Sequence, residues 1–195
     1  MAKLCKADVA SFWRVIGFGV FAHGLDMLTT YWRDPHLLEE GNPLYRLLAG
    51  AGIHGWSWLL AGKMLWVAVA ALLYWCYLLV RRNYLPPEPV TNFTNLHSYS
   101  LYGRVMSRPE MMQNWGIGWR EVRFIGVVLA GVALPVSSAA AIVYSFDNAA
   151  VPLHFPWPRL PWGWFGLVEG ILALIWWCWA WWQFYQQTLA ATQTA

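Results

Sequence analysis

Hydrophobic positions fall into four long runs, at 9–32, 53–80, 122–144 and 162–185, separated by stretches rich in Pro, Asn, Ser and charge. A helix rises about 1.5 Å per residue, so about 20 residues cross the roughly 30 Å of a hydrocarbon layer. Each run meets that length. The pattern predicts an all-α integral membrane protein with four transmembrane helices arranged as two hairpins and joined by a long cytoplasmic loop. The whole chain, 1–195, then forms one domain: a first hairpin at 1–80, an interfacial loop at 81–121 and a Trp-rich hairpin at 122–195.

Composition strengthens this picture. Hydrophobic residues make up 58% of the 195 and charged residues 12%, about half the charge of an ordinary soluble domain. Lys and Arg stay on the cytoplasmic side during insertion. Lys3, Lys6, Arg14, Arg81, Arg82, Arg104, Arg108, Arg120 and Arg123 fall on one side of the four runs, against Arg33, Arg46 and Arg159 on the other. Both termini are therefore expected in the cytoplasm of a prokaryotic cell, with the chain in its inner membrane. The net charge of +3 follows from that topology, and no basic helix or aromatic-interleaved motif points to nucleic acid. Arg14 and Asp26 interrupt the first run and no small-residue cleavage site follows it, so the first helix is expected to be retained. Cys5, Cys76 and Cys178 are isolated and offer neither a metal set nor a disulfide framework.

The connections carry their own signals. After the basic "RRNYLPPEPV", the middle segment mixes Asn, Ser, Tyr, Met and Trp, which suits a structured layer on the headgroups or against another protein. The outer connection, "FDNAAVPLHFPWPRLPWGWFG", alternates Pro with Trp and is expected to lie flat as a cap. Trp157, Trp162, Trp164, Trp176, Trp177, Trp179, Trp181 and Trp182 read as interface aromatics. Sixteen Trp in all exceed what two aromatic belts require and leave room for packing on neighbouring subunits or an aromatic cofactor. In the third run, Pro135 removes a backbone donor, with Ser137 and Ser138 placed to satisfy the freed carbonyls. Gly126, Ala130, Gly131 and Ala133 permit close helix approach.

The chemistry-bearing stretch is His23 to Leu48, "HGLDMLTTYWRDPHLLEEGNPLYRLL". On a helix His23, Asp26 and Thr30 share one face, with Gly19 a turn earlier and Thr29 beside it. Asp26 is expected about 9 Å, and Lys63 about 15 Å, below the outer surface. A lone charge at such depth costs several kcal/mol, so an Asp26–Lys63 pair is the cheapest arrangement. Asn42 and Pro43 start a short helix "PLYRLLAG". Glu40 and Asn42 are then expected to join Asp26 and Lys63 in one network that clasps the first two helices.

The resulting pattern, D-x-x-T…E-x-N-P…K at Asp26, Thr29, Glu40, Asn42, Pro43 and Lys63, resembles the signature of a widespread prokaryotic family of small, functionally uncharacterised two-hairpin membrane proteins. The resemblance covers about the first 80 residues. It implies a shared polar cluster and brings no activity with it.

Three function classes compete. The first is a non-catalytic accessory or structural subunit of a larger photosynthetic, respiratory or monooxygenase-type complex, whose partners are membrane lipids and other membrane subunits. No cofactor is firmly indicated; a pigment or haem contact is its sharper variant and would use His23 and His54 as ligands. The alternative is a small ion-coupled carrier using Asp26, Glu40 and Lys63. An enzyme is not expected, since the sequence holds no nucleophile–base pair, H-E-x-x-H, phosphate loop or metal-ligand set.

Overall fold

The computed structural model describes residues 6–37, 43–53, 55–113, 118–150, 153 and 162–193. Among these, regular structure is helical throughout, without a strand. Four long helices, α1 (Lys6–Arg33), α3 (Trp56–Val80), α6 (Trp119–Ala150) and α7 (Trp162–Gln193), are connected through the short α2 (Pro43–Gly50), α4 (Phe93–Tyr102) and α5 (Arg108–Gln113). A 3-10 turn, Arg81–Tyr84, extends α3. Two stretches, Trp56–Tyr84 and Trp119–Ala150, are long and apolar enough to cross a membrane.

Helix α2 begins at Pro43, where the ring's fixed φ and missing N–H cost nothing in the first turn. Helix α4 shows the local rules most fully. The Asn92 side chain accepts from the backbone N–H of Asn95 at 2.9 Å, and Gly103 closes the other end in the left-handed region with φ 74°, which suits a residue without Cβ. Helix α6 runs on through Pro135 to Ala150, beyond the expected end at 144. Pro135 deprives the Gly131 carbonyl of its partner, but Ser137 and Ser138 do not cover it. Both hydroxyls donate to the Leu134 carbonyl instead, at 3.2 and 2.6 Å.

Helices α1 and α6 run parallel along an extended seam. Gly19 meets Leu134 and Ser138, His23 meets Ser137, and Arg33 meets Asn148. The sequence separation is 114 and 115 residues at the last two contacts, so the helices hold a constant register. Gly19 is what lets them close: a Cβ there would lie 2.8 Å from Leu134 Cδ1. Helix α3 runs antiparallel to both, as Asp26 meets Lys63 near one end and Asp8 meets Arg81 at the other. Helix α7 packs its second half against α3 and α6.

The main core sits at the end of the bundle where α1 begins. Tyr74, Tyr77, Leu78, Phe124, Trp177, Trp181, Phe184 and Tyr185 form it together with Leu96 from α4. Trp177 and Trp181 are stacked, with centroids 5.2 Å apart and planes at 17°. These two Trp are therefore not interface aromatics. They lie inside the chain, Trp181 at 0% exposure, because successive turns of α7 direct them at Phe124 and Tyr77. Trp179, between them, points outward at 61% exposure, while Trp176 and Trp182 are intermediate. The middle segment is no loose connection. Trp181 donates its indole N–H to Ser100 at 3.2 Å, Ser98 accepts from the Met106 backbone at 3.1 Å, and Ser98, Ser100 and Leu96 are fully buried. Helix α4 thus seals this end of the core.

Candidate functional site, a polar joint beside an apolar groove

Near the ends of α1 and α6 the described charges meet one another. Lys63 of α3 donates to Asp26 Oδ2 in a close ion pair. The other carboxylate oxygen accepts from Asn148 Nδ2 at 3.3 Å, and the same amide group donates to Thr30 Oγ1 at 3.0 Å. The Asn148 carbonyl then accepts from Arg33 at 3.0 Å, and Arg33 also lies 3.7 Å from Asp147. The amide orientation follows from charge: its NH₂ must face the carboxylate and its oxygen the guanidinium. One Asn thus joins α6 to α1 at three side chains, Asp26, Thr30 and Arg33, and through Asp26 to Lys63 of α3. Removing one member of a buried ion pair costs far more than the pair contributes, because the remaining charge has neither water nor partner.

A second clamp closes the opposite end. Asp8, 2% exposed, accepts from Arg81 and, at 3.1 Å, from Arg82. Arg81 is held over the Phe184 ring, with its guanidinium carbon 3.7 Å from the centroid, and beside Tyr77. An arginine there satisfies a carboxylate and stacks on an aromatic face with the same planar group. Arg120 repeats the theme between Tyr84 and Tyr99.

Beside the polar joint lies a groove of ≈ 800 Å³ between α3 and α6, bordered at one end by His23 and Asp26 of α1 and by Tyr45 of α2. It runs from Leu73 and Gly126 up to His23, Asp26, Lys63 and Tyr144. Its walls are mostly apolar, and Trp58, Trp66 and Leu129 on its rim are exposed. The groove exists because α6 presents Gly126, Ala130 and Ala133 to it. A Cβ at Gly126 would meet nothing within 4 Å. Of the small residues expected to bring helices together, Gly131 closes on Trp177 and Tyr77 and Ala130 packs against the same core, while Gly126 leaves open space.

The structure brings His23, Asp26, Thr30 and Lys63 to one place. His23 Nε2 lies 3.4 Å from Ser137 Oγ, a contact between imidazole and hydroxyl. Thr29 stands apart from the network, since its hydroxyl donates to the carbonyls of Leu25 and Asp26 on its own helix. Glu40, Asn42, His54 and Trp157 lie outside the described residues, as do the side chains of Trp162 and Trp164. Among the described residues no three of His, Cys, Asp and Glu converge as a metal site would need.

Sequence reasoning missed Asn148, Arg33 and Asp8 as members of these clusters. Asn148 had a signal: Leu134, Ser138, Ala141 and Ser145 are buried at alternating intervals of four and three, and 148 is the next position of that face. Asp8 had none beyond its being an acid among basic residues. No protein-family model, curated protein or solved structure matches the chain.

Proposed function

We propose that the chain is a four-span protein of the prokaryotic cytoplasmic membrane, with both termini cytoplasmic, that serves as a non-catalytic subunit packed against other membrane proteins. The observation carrying this reading is the division of labour between inside and outside. Asp8, Asp26, Arg33, Lys63 and Arg81 engage partners within the chain, so these charges need no outside partner. The outward faces carry bulk: Trp13, Phe21 and Leu28 on α1, Leu65 and Leu72 on α3, Ile125 and Leu129 on α6, Leu174 and Trp179 on α7 are exposed. A core helix of a soluble protein would be mostly buried, yet only 22% and 33% of the apolar 18-residue windows within Trp56–Tyr84 and Trp119–Ala150 are. Such surface is stable only against lipid or another protein.

The excess of basic residues assigned to the cytoplasmic side accords with this reading. Blue-native electrophoresis in mild detergent tests it. The expected result is migration in a band well above the 22.3 kDa chain that contains other membrane proteins. Migration as a lone monomer would contradict it. A second reading, a small ion-coupled carrier, draws on the groove reaching Asp26 and Lys63. Flux abolished by Asp26→Asn with folded protein retained would favour the carrier over the subunit.

A further inference from the structure

We infer that the groove between α3 and α6 is a binding site for an isoprenoid quinone, with its ring at Lys63 and its tail along α6. The inference does not depend on assembly into a larger complex.

Size and shape come first. Cavities of about 300–1,000 Å³ with apolar walls and a few convergent polar groups are characteristic of small-molecule sites, and this one encloses ≈ 800 Å³. From Trp58 to Leu73 along α3 it extends about 22 Å at about 1.5 Å per residue. An elongated apolar chain fits such a space; a compact polar metabolite does not.

Polarity then fixes the head. An ammonium group has three donors, and among the described residues Lys63 uses one, on Asp26. The lysine side chain is 15% exposed and borders the groove, leaving it N–H groups to offer a ligand oxygen. The ligand therefore carries an acceptor. Asp26 already balances the lysine charge, so a carboxylate or phosphate head would add an uncompensated negative charge beside a carboxylate. Depth makes that worse. Asp26 lies seven residues before the end of α1 and Lys63 seven after the start of α3, hence about 10 Å below the helix ends, where a charged head is strongly disfavoured. A neutral carbonyl is what remains. Exposed Trp58 and Trp66 stand on the rim at this end of the groove, and indole faces favour a flat ring over a flexible ester.

The test uses the purified chain in dodecyl maltoside and a radiolabelled benzoquinone carrying an isoprenoid tail. Expected is saturable binding displaced by unlabelled quinone, with the ethyl ester of a fatty acid weaker by about tenfold or more. Gly126→Leu fills the groove at an open position with a better helix former, so it should keep the melting temperature and weaken binding by about tenfold or more. The Asp26→Asn/Lys63→Met double variant removes the donor while keeping the joint neutral, and should weaken binding similarly. Non-saturable partition, equal displacement by the ester, or full binding by Gly126→Leu would overturn the inference. Binding to the unaltered chain decides the first two outcomes whether or not a variant folds.

Discussion

Asn148 joins three helices with one amide. Asn148→Ala would take one hydrogen-bond partner each from Asp26, Thr30 and Arg33, at a cost of about 1–3 kcal/mol for unmade buried hydrogen bonds. A lowered thermal midpoint in detergent is expected; an unchanged midpoint would show that the amide is not part of the joint. His97 in α4 makes a second residue-scale prediction. Its ring stacks on Phe93 with centroids 5.8 Å apart, and burial holds its pKa below the ordinary 6.5. The fold thus favours neutral imidazole, and the unfolded chain takes up the proton first. The stability that His97 contributes is complete above about pH 6.5 and is lost as pH falls through the folded-state pKa. Melting curves from about pH 8 down to about pH 5 should show a decline below pH 6.5 that His97→Gln reduces.

At the scale of elements, two close approaches fix the bundle, and they differ in give. At Gly19 the nearest atom is the end of the Leu134 side chain, whereas at Gly131 a Cβ would stand 3.0 Å from both Trp177 and Tyr77, whose rings are buried in the core. Gly131→Ala is therefore expected to cost about 1–3 kcal/mol through overpacking, while Gly126→Ala, facing open space, should stabilise by about 0.5–1 kcal/mol. Equal midpoints for the two variants would contradict this difference. The same elements show what a sequence reveals. The helices were legible because apolar runs of that length have one regular solution, and the meeting of Asp26 with Lys63 because paired charges at similar depth must find each other. The seam between α1 and α6 was not, since a pairing more than 100 residues apart leaves no local periodicity. Asn148 was assigned to the outer connection because the apolar run ends at Tyr144, although helix α6 continues to Ala150 and carries it into the joint. Trp177 and Trp181 were assigned outward by the belt rule, which ignores that α4 folds back to cover this end and that Trp181 finds an acceptor in Ser100.

At the scale of the whole molecule, two clamps of buried charge hold the bundle, Asp8 with Arg81 and Arg82 at one end and Asp26 with Lys63, Asn148 and Arg33 toward the other. Between them lie the aromatic core and the groove. This layout explains how a chain with few charges keeps α1, α3 and α6 in register: each clamp joins elements distant in sequence, and the apolar side chains are left on the exterior. The central claim is that Asp26 and Lys63 neutralise each other. A double-mutant cycle on folded yield and thermal midpoint tests it most directly. Asp26→Asn and Lys63→Met should each cost about 3–5 kcal/mol, as expected for a buried charge left alone, and the double variant should recover more than half of the summed loss. Losses that simply add would contradict the account.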